Sequence, residues 1–169
     1  LDISELRREY TLTDLREGDL DPSPFRQFEK WFQQAISAQL ALPDAMTLAT
    51  ATKDGRPSAR IVVLRGLDER GFVFYTNYES QKGRELAENP HAALVFHWAE
   101  LERQVRIVGQ VSKVSREESE KYFQSRPLES RLSAWASRQS EVIESREVLE
   151  SRLEQLMKRY RDKEIPLPP

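Results

Sequence analysis

The hydrophobic period of this chain changes twice, and those changes restrict the fold more than any other feature of the sequence. Phe25, Phe28, Phe32, Ile36 and Leu40 recur at three- to four-residue steps, the spacing of one helix face. Ser23-Pro24 before them reads as an N-cap followed by Pro at the first helical position, so a helix is expected from there to about Leu42. Residues 46–52 then read as a strand, Lys53-Asp54-Gly55-Arg56-Pro57 as a hairpin turn, 58–67 as a second strand, Asp68-Glu69-Arg70-Gly71 as another turn and 72–76 as a third strand. A short helix over 80–88 closes at Asn89-Pro90. Residues 92–98 are apolar except for His97, which predicts a strand buried on both faces. Residues 104–114 alternate, with Val105, Ile107 and Val111 on one side and Gln104, Arg106 and Gln110 on the other.

The last third returns to the helical period. Ser115 to Glu118 forms a capping box opening a helix to Arg126, which Pro127 interrupts because it lacks a donor and crowds the preceding turn. Further helices are expected over 128–136 and 141–161, the latter with Leu149, Leu153, Leu156 and Tyr160 on one stripe. Strands joined by tight turns pair antiparallel, since parallel pairing needs long crossovers. Helix, short strands, then helices therefore predicts an α+β fold around a small closed or partly closed barrel, closure being what removes exposed strand edges.

Composition narrows the function classes. At 169 residues, 38% hydrophobic and 32% charged, the chain suits one globular domain with a heavily charged surface. A net charge of -2 argues against a nucleic-acid partner. There is no Cys, which excludes disulfides, thiolate chemistry and Cys-based metal sites. His91 and His97 are the only imidazoles, so no metal centre is expected. No apolar run approaches the ~20 residues of a membrane span, and the first eight residues hold no signal-peptide core. The expected compartment is the cytoplasm, with no membrane partner.

Four features carry possible chemistry. Arg60 and Arg65 bracket an apolar strand, where each could hold a phosphate bidentately or simply be a solvated strand end. In a regular strand they face opposite ways and would serve different anions unless a bulge intervenes. Tyr75-Thr76 ends a strand, and Ser80, Lys82 and Arg84 open the next helix, a plausible anion site or ordinary packing beside a capped helix. Tyr122, Arg126 and Ser130 fall at steps of four across Pro127 and on a continuous helix would share a face. Gln104 and Gln139-Ser140 offer donors and acceptors suited to the edge of a flavin or purine ring, though such residues are common on surfaces.

Read together, eight motifs occur in one order: Arg7-Arg8-Glu9-Tyr10, Asp21-Pro22-Ser23-Pro24-Phe25, Arg60-Ile61-Val62-Val63-Leu64-Arg65, Val73-Phe74-Tyr75-Thr76-Asn77, Leu101-Glu102-Arg103-Gln104-Val105, Tyr122-Phe123-Gln124-Ser125-Arg126-Pro127, Ala134-Trp135-Ala136-Ser137-Arg138-Gln139-Ser140 and Pro166-Leu167-Pro168. In these the chain resembles the pyridoxine/pyridoxamine 5′-phosphate oxidase family over essentially its whole length. The resemblance implies an FMN-binding split β-barrel, residues 1–169 forming a single domain with a mobile N-terminal segment over 1–22. It also implies a homodimer with active sites at the subunit interface. Implied FMN contacts are Arg60 on the phosphate, Ile61, Val62, Val63, Leu64 and Arg65 along the flavin, and Tyr75, Thr76, Lys82, Gln104, Gln139 and Ser140. Implied substrate contacts are Arg65, Tyr122, Arg126 and Ser130 on the phosphate of a B6 vitamer, with Arg7, Arg8, Glu9 and Tyr10 closing over it.

The chain departs from the family at two positions: Arg65 stands where Lys is usual, and Gln81, next to Lys82, where a basic residue is common. The family's substrate-orienting Arg and His fall in a segment following Pro-Leu-Pro, so the resemblance places them beyond residue 169. The implied reaction oxidises pyridoxine or pyridoxamine 5′-phosphate to the aldehyde with O2 as acceptor and hydrogen peroxide as product. Two alternatives remain at this stage: a related flavin oxidase acting on another reduced ring, such as a phenazine precursor, and a non-catalytic binder of flavin or pyridoxal phosphate.

Overall fold

The computed structural model describes residues 11–12, 15–161 and 163–168. Arg7, Arg8, Glu9 and Tyr10 lie outside the described residues, as does much of the segment expected to be mobile. The elements run α1 (Pro24–Ser37), β1 (Ala45–Ala51), β2 (Pro57–Val63), β3 (Gly66–Asp68), β4 (Gly71–Val73), α2 (Gln81–Glu88), β5 (His91–Trp98), β6 (Arg103–Gln110), α3 (Arg116–Ser125), α4 (Leu128–Ala136) and α5 (Arg146–Arg159). Four strands form one sheet in the order β2-β1-β5-β6, and β3 pairs antiparallel with β4 in register Leu67 to Phe72. Helices with an antiparallel sheet make the fold α+β, as the sequence pattern requires.

Local chemistry explains most element ends. Ser23 caps α1 by accepting from the Arg26 N–H, with Pro24 at the first helical position. The helix ends at Ser37, short of the expected Leu42, in a Schellman arrangement: Gln39 is left-handed (φ 56°), its N–H donates to Ile36, and the Leu40 N–H reaches back to Ala35. Between β1 and β2, Gly55 sits at φ 87° and donates to the Thr52 carbonyl, while the Thr52 N–H donates to Arg56 at 3.0 Å. Such a backbone angle favours glycine. Pro127 separates α3 from α4 as its ring geometry demands, with Arg126 in extended backbone at φ -76°, ψ 149°.

Further expectations need correction, and the strands expected over 72–76 and 104–114 already end at Val73 and Gln110. The strand expected over 58–67 is two strands, because the backbone changes partner at its middle: the Leu64 N–H donates to Asp44 at 2.8 Å and the Arg65 N–H to Val73 at 2.8 Å. The strand expected over 92–98 is not buried on both faces; Leu94, Phe96 and Trp98 are buried, whereas His91 and His97 are exposed. Its alanines read as apolar but are small enough to sit on either face. The last helix begins at Arg146 rather than 141, with Ser145 as the residue before it.

The chain divides into two compact units. One comprises Leu1–Leu48, Ile61–Phe74 and Leu94–Ile107. Its centre is an aromatic cluster in which Phe28, 3% exposed, meets Phe72 edge-on at 4.8 Å, Phe96 at 4.9 Å and Trp98 at 6.0 Å. The Trp98 indole N–H is satisfied by the Pro43 carbonyl at 3.0 Å. The other unit comprises Ala49–Arg60, Tyr75–Ala93 and Val108–Pro169. Its helical core joins Phe123, Leu132 and Ile165, with Trp135, Leu153, Leu156, Tyr160 and Leu167 packed around them. The 165–167 segment is tied down by Gln124 Nε2 to the Ile165 carbonyl and Trp135 Nε1 to the Pro166 carbonyl, each 2.8 Å.

Candidate functional site

A dense polar cluster lies in the second unit, where β1, β2 and the start of α2 bring one acid and two cations together. Ser58 and Arg60 are two apart on β2 and so share a face. Thr50, 3% exposed, is on β1. Ser80 caps α2 by accepting from the Gly83 N–H, and the first turns of that helix carry Lys82 and Glu85. Arg60 donates through Nη1 to Thr50 and through Nη2 to Ser58, with Nη2 also 3.5 Å from Glu85 Oε2. Both hydroxyls contact that same carboxylate oxygen, Ser58 at 2.6 Å, and Gln81 Nε2 donates to the other oxygen at 2.9 Å. Lys82 Nζ donates to Ser80 Oγ at 3.2 Å and to Gln139 Oε1 at 2.7 Å.

Charge in this cluster is set by burial and by partners. Burial pushes the Glu85 carboxyl up, but hydrogen bonds from Ser58, Thr50 and Gln81 and the charge of Arg60 outweigh it and hold it at about 2. Lys82, 7% exposed, is lowered from the usual lysine value, first by burial and then by the nearby Arg60 cation. An acid depressed in the folded state stabilises the fold above its unfolded value and loses that contribution as pH falls toward its folded value. The protein is therefore expected to lose Glu85-dependent stability between about pH 4.5 and pH 2. Acid titrations followed by circular dichroism should show a shallower loss over that window for Glu85→Gln.

Two cations in one cluster, the Lys82 ammonium lowered by burial and then by the Arg60 charge, suit an added dianion. A phosphomonoester fits this donor set: a forked guanidinium, an ammonium and a capped helix start.

In the same unit, Tyr75 and Tyr122 stack face to face, ring centroids 3.7 Å apart and planes 6° off parallel. The Tyr75 hydroxyl lies 3.5 Å from Glu118 Oε1. Thr76 is half-buried beside Tyr75. Arg126 caps α3 and Ser130 lies in the first turns of α4, so the break at Pro127 replaces the continuous helix on which they would have shared a face. Ser140 is exposed and left-handed at φ 68°, turning the chain just after Gln139.

The remaining candidates belong to the first unit. Ile61 is 64% exposed, Val62 and Val63 are half-buried and Leu64 is buried. Arg65 pairs with Asp44 at 3.0 Å, and Gln104 is exposed on β6. Arg60 and Arg65 thus engage different acids. Nothing in the local pattern singles out Thr50, Ser58 or Glu85, because a Glu inside an amphipathic helix reads as a solvated face. The i, i+2 spacing of Ser58 and Arg60 was the one available signal.

An α+β sheet protein with an Arg on a strand and a buried Lys at a helix start around one buried acid defines the class. The family model described as pyridoxamine 5′-phosphate oxidase matches residues 32–159. Similar curated proteins include the pyridoxine/pyridoxamine 5′-phosphate oxidases of Trichormus variabilis, 63% identical over 98% of this chain and 78% of its relative, and of Paraburkholderia phymatum, 61% identical over 94% and 74%. Among solved structures, PhzG from Burkholderia lata 383 in complex with tetrahydrophenazine-1-carboxylic acid superposes with a TM-score of 0.85 at 33% identity, over 90% of this chain and 74% of that one. A pyridoxamine 5′-phosphate oxidase-related, FMN binding protein from Nostoc punctiforme shares the fold at a TM-score of 0.61 and 20% identity, over 78% of this chain and 73% of that one. This chain belongs to the pyridoxamine 5′-phosphate oxidase family, and its fold is the split β-barrel of that family.

Proposed function

We propose that the protein binds FMN and oxidises pyridoxine 5′-phosphate and pyridoxamine 5′-phosphate to pyridoxal 5′-phosphate, passing two electrons to O2 to give hydrogen peroxide. The observation that carries this reading is the Arg60-Lys82 cluster, which supplies a phosphomonoester site in a chain of this family. The alcohol substrate yields aldehyde and peroxide directly; the amine also takes up water and releases ammonia. FMN, when bound, supplies the redox chemistry. The chain supplies placement and electrostatics.

In this reading residues 1–169 serve as one FMN-binding domain, in the cytoplasm and as a homodimer with its sites at the interface. Arg60 and Lys82 hold the cofactor phosphate; Ile61, Val62, Val63, Leu64, Tyr75, Thr76, Gln104, Gln139 and Ser140 contact the rest of it. Tyr122, Arg126, Ser130 and Arg65 take the substrate phosphate, and Arg7, Arg8, Glu9 and Tyr10 close over the substrate. Peroxide release measured with both B6 phosphates and with a reduced phenazine carboxylate tests the assignment. Turnover of the phenazine alone would move the protein to the chemistry suggested by the PhzG likeness.

Two further outcomes are expected. Arg65→Ala should raise KM for the phosphorylated substrate by about tenfold, the loss of one charge-assisted contact of roughly 1.5 kcal/mol, and leave flavin content intact. Arg65→Lys should be tolerated, since one charge is kept. Loss of flavin with unchanged KM would assign Arg65 to the cofactor alone. Sedimentation at micromolar concentration should give a dimer in the flavin-loaded state, with an interface well above ~1,200 Å². A flavin-saturated monomer would remove the interface from the proposal.

A further inference from the structure

Glu85 touches both hydroxyls that touch Arg60, and the chemistry of the four groups permits only one direction for every proton. A guanidinium has no acceptor, so Arg60 must donate to Thr50 and Ser58. An ionised carboxylate has no donor, so Thr50 and Ser58 must each give their single proton to Glu85. Each hydroxyl therefore turns its lone pairs toward Arg60 and cannot offer its proton elsewhere. Glu85 and Thr50 are 5% and 3% exposed, which keeps water from substituting for either partner.

We infer that Glu85, acting through Thr50 and Ser58, is a positioning residue that fixes the Arg60 guanidinium for the cofactor phosphate. The inference rests on the reading of this cluster as the FMN phosphate site. Glu85 would not touch the phosphate. Its carboxylate orients the two hydroxyls, which hold two guanidinium nitrogens and thereby fix the plane of the fork before the phosphate arrives. A guanidinium whose plane is already set loses less freedom on binding, so affinity rises without a new contact. Gln81 ties down the second carboxylate oxygen and keeps the first directed at the hydroxyls.

The test is the ratio of riboflavin to FMN dissociation constants, read by flavin fluorescence, because that ratio isolates the phosphate. General loosening of the fold would weaken both flavins and leave the ratio unchanged. Glu85→Ala should lower the ratio by at least about tenfold, since orienting a charge-assisted contact is at stake. Glu85→Gln should stay within about threefold of the parent, or bind FMN more tightly, because an amide oxygen still accepts from both hydroxyls. A ratio unchanged in Glu85→Ala would overturn the inference, and so would a Glu85→Gln ratio as low as that of Glu85→Ala. Should Glu85→Ala fail to fold, the Thr50→Val, Ser58→Ala double variant reads the same quantity: a tenfold fall supports the relay and no fall overturns it. If the unaltered protein binds FMN no better than riboflavin, the phosphate-site reading fails first and the relay with it.

Discussion

Replacing Arg60 with Ala is expected to weaken FMN binding ten- to a hundredfold while riboflavin binding stays within about threefold. Charge-assisted hydrogen bonds contribute roughly 1.5–3 kcal/mol each, and each 1.4 kcal/mol is about a factor of ten. The same change leaves the Glu85 carboxylate without its cation. Removing one partner of a buried pair costs about 3–5 kcal/mol, but the Arg60 side chain is 20% exposed, so the loss should fall at or below the lower end. Arg60→Ala should therefore also melt earlier, and pairing it with Glu85→Leu should recover stability without recovering FMN affinity. That dissociation of the two readouts is the informative result. Flavin titration and thermal melting on the three proteins measure it. An equal loss of FMN and riboflavin affinity would show that Arg60 supports the pocket generally rather than the phosphate.

The parts of the fold legible in sequence were those set by chemistry within a few residues. Ser23-Pro24, Ser80 and Ser115 each cap the helix they were expected to cap, and Asp54-Gly55 makes its turn, because caps and tight turns are closed by neighbouring groups. The α4 helix has its expected bounds for the same reason, Pro127 fixing its start. Errors arose where a distant partner decides. Nothing in the segment from Ile61 to Leu67 shows that the backbone exchanges Asp44 for Val73 at Leu64-Arg65. Nor does the local sequence around Gln39 announce a Schellman stop, since Gly is the residue usually found there and Gln is not.

For the site, residue type and order were enough to select Arg60 and Lys82 but not what surrounds them. A cation is a visible candidate anywhere. Glu85 became visible only when Thr50, 35 residues away, was found against it. Likewise the Tyr75-Tyr122 stack joins a residue that the resemblance assigns to FMN with one that it assigns to the substrate phosphate, and no spacing rule links positions that far apart. Short-range patterns identify donors; tertiary contacts decide what holds them still.

Phe28 offers the largest expected loss of stability from a single truncation. It is 3% exposed and meets Phe32, Phe72, Phe96 and Trp98, so the methyl of Ala would leave a cavity among four rings. Phe→Ala changes at such positions cost about 3–5 kcal/mol, the transfer loss and the cavity adding together. For a chain of this size each kcal/mol lowers Tm by roughly 2–4 °C, which gives a drop of about 6–20 °C. Phe28→Leu should lose much less, because a branched side chain refills part of the space. Phe28 lies in a different unit from Arg60. Phe28→Ala should accordingly leave the riboflavin-to-FMN affinity ratio unchanged at temperatures where it is still folded, the opposite of Arg60→Ala. Thermal melting by circular dichroism and flavin titration at low temperature give the two numbers. A Tm within about 2 °C of the parent, corresponding to under 1 kcal/mol, would mean that the aromatic cluster collapses around the cavity and that α1 is held by other contacts.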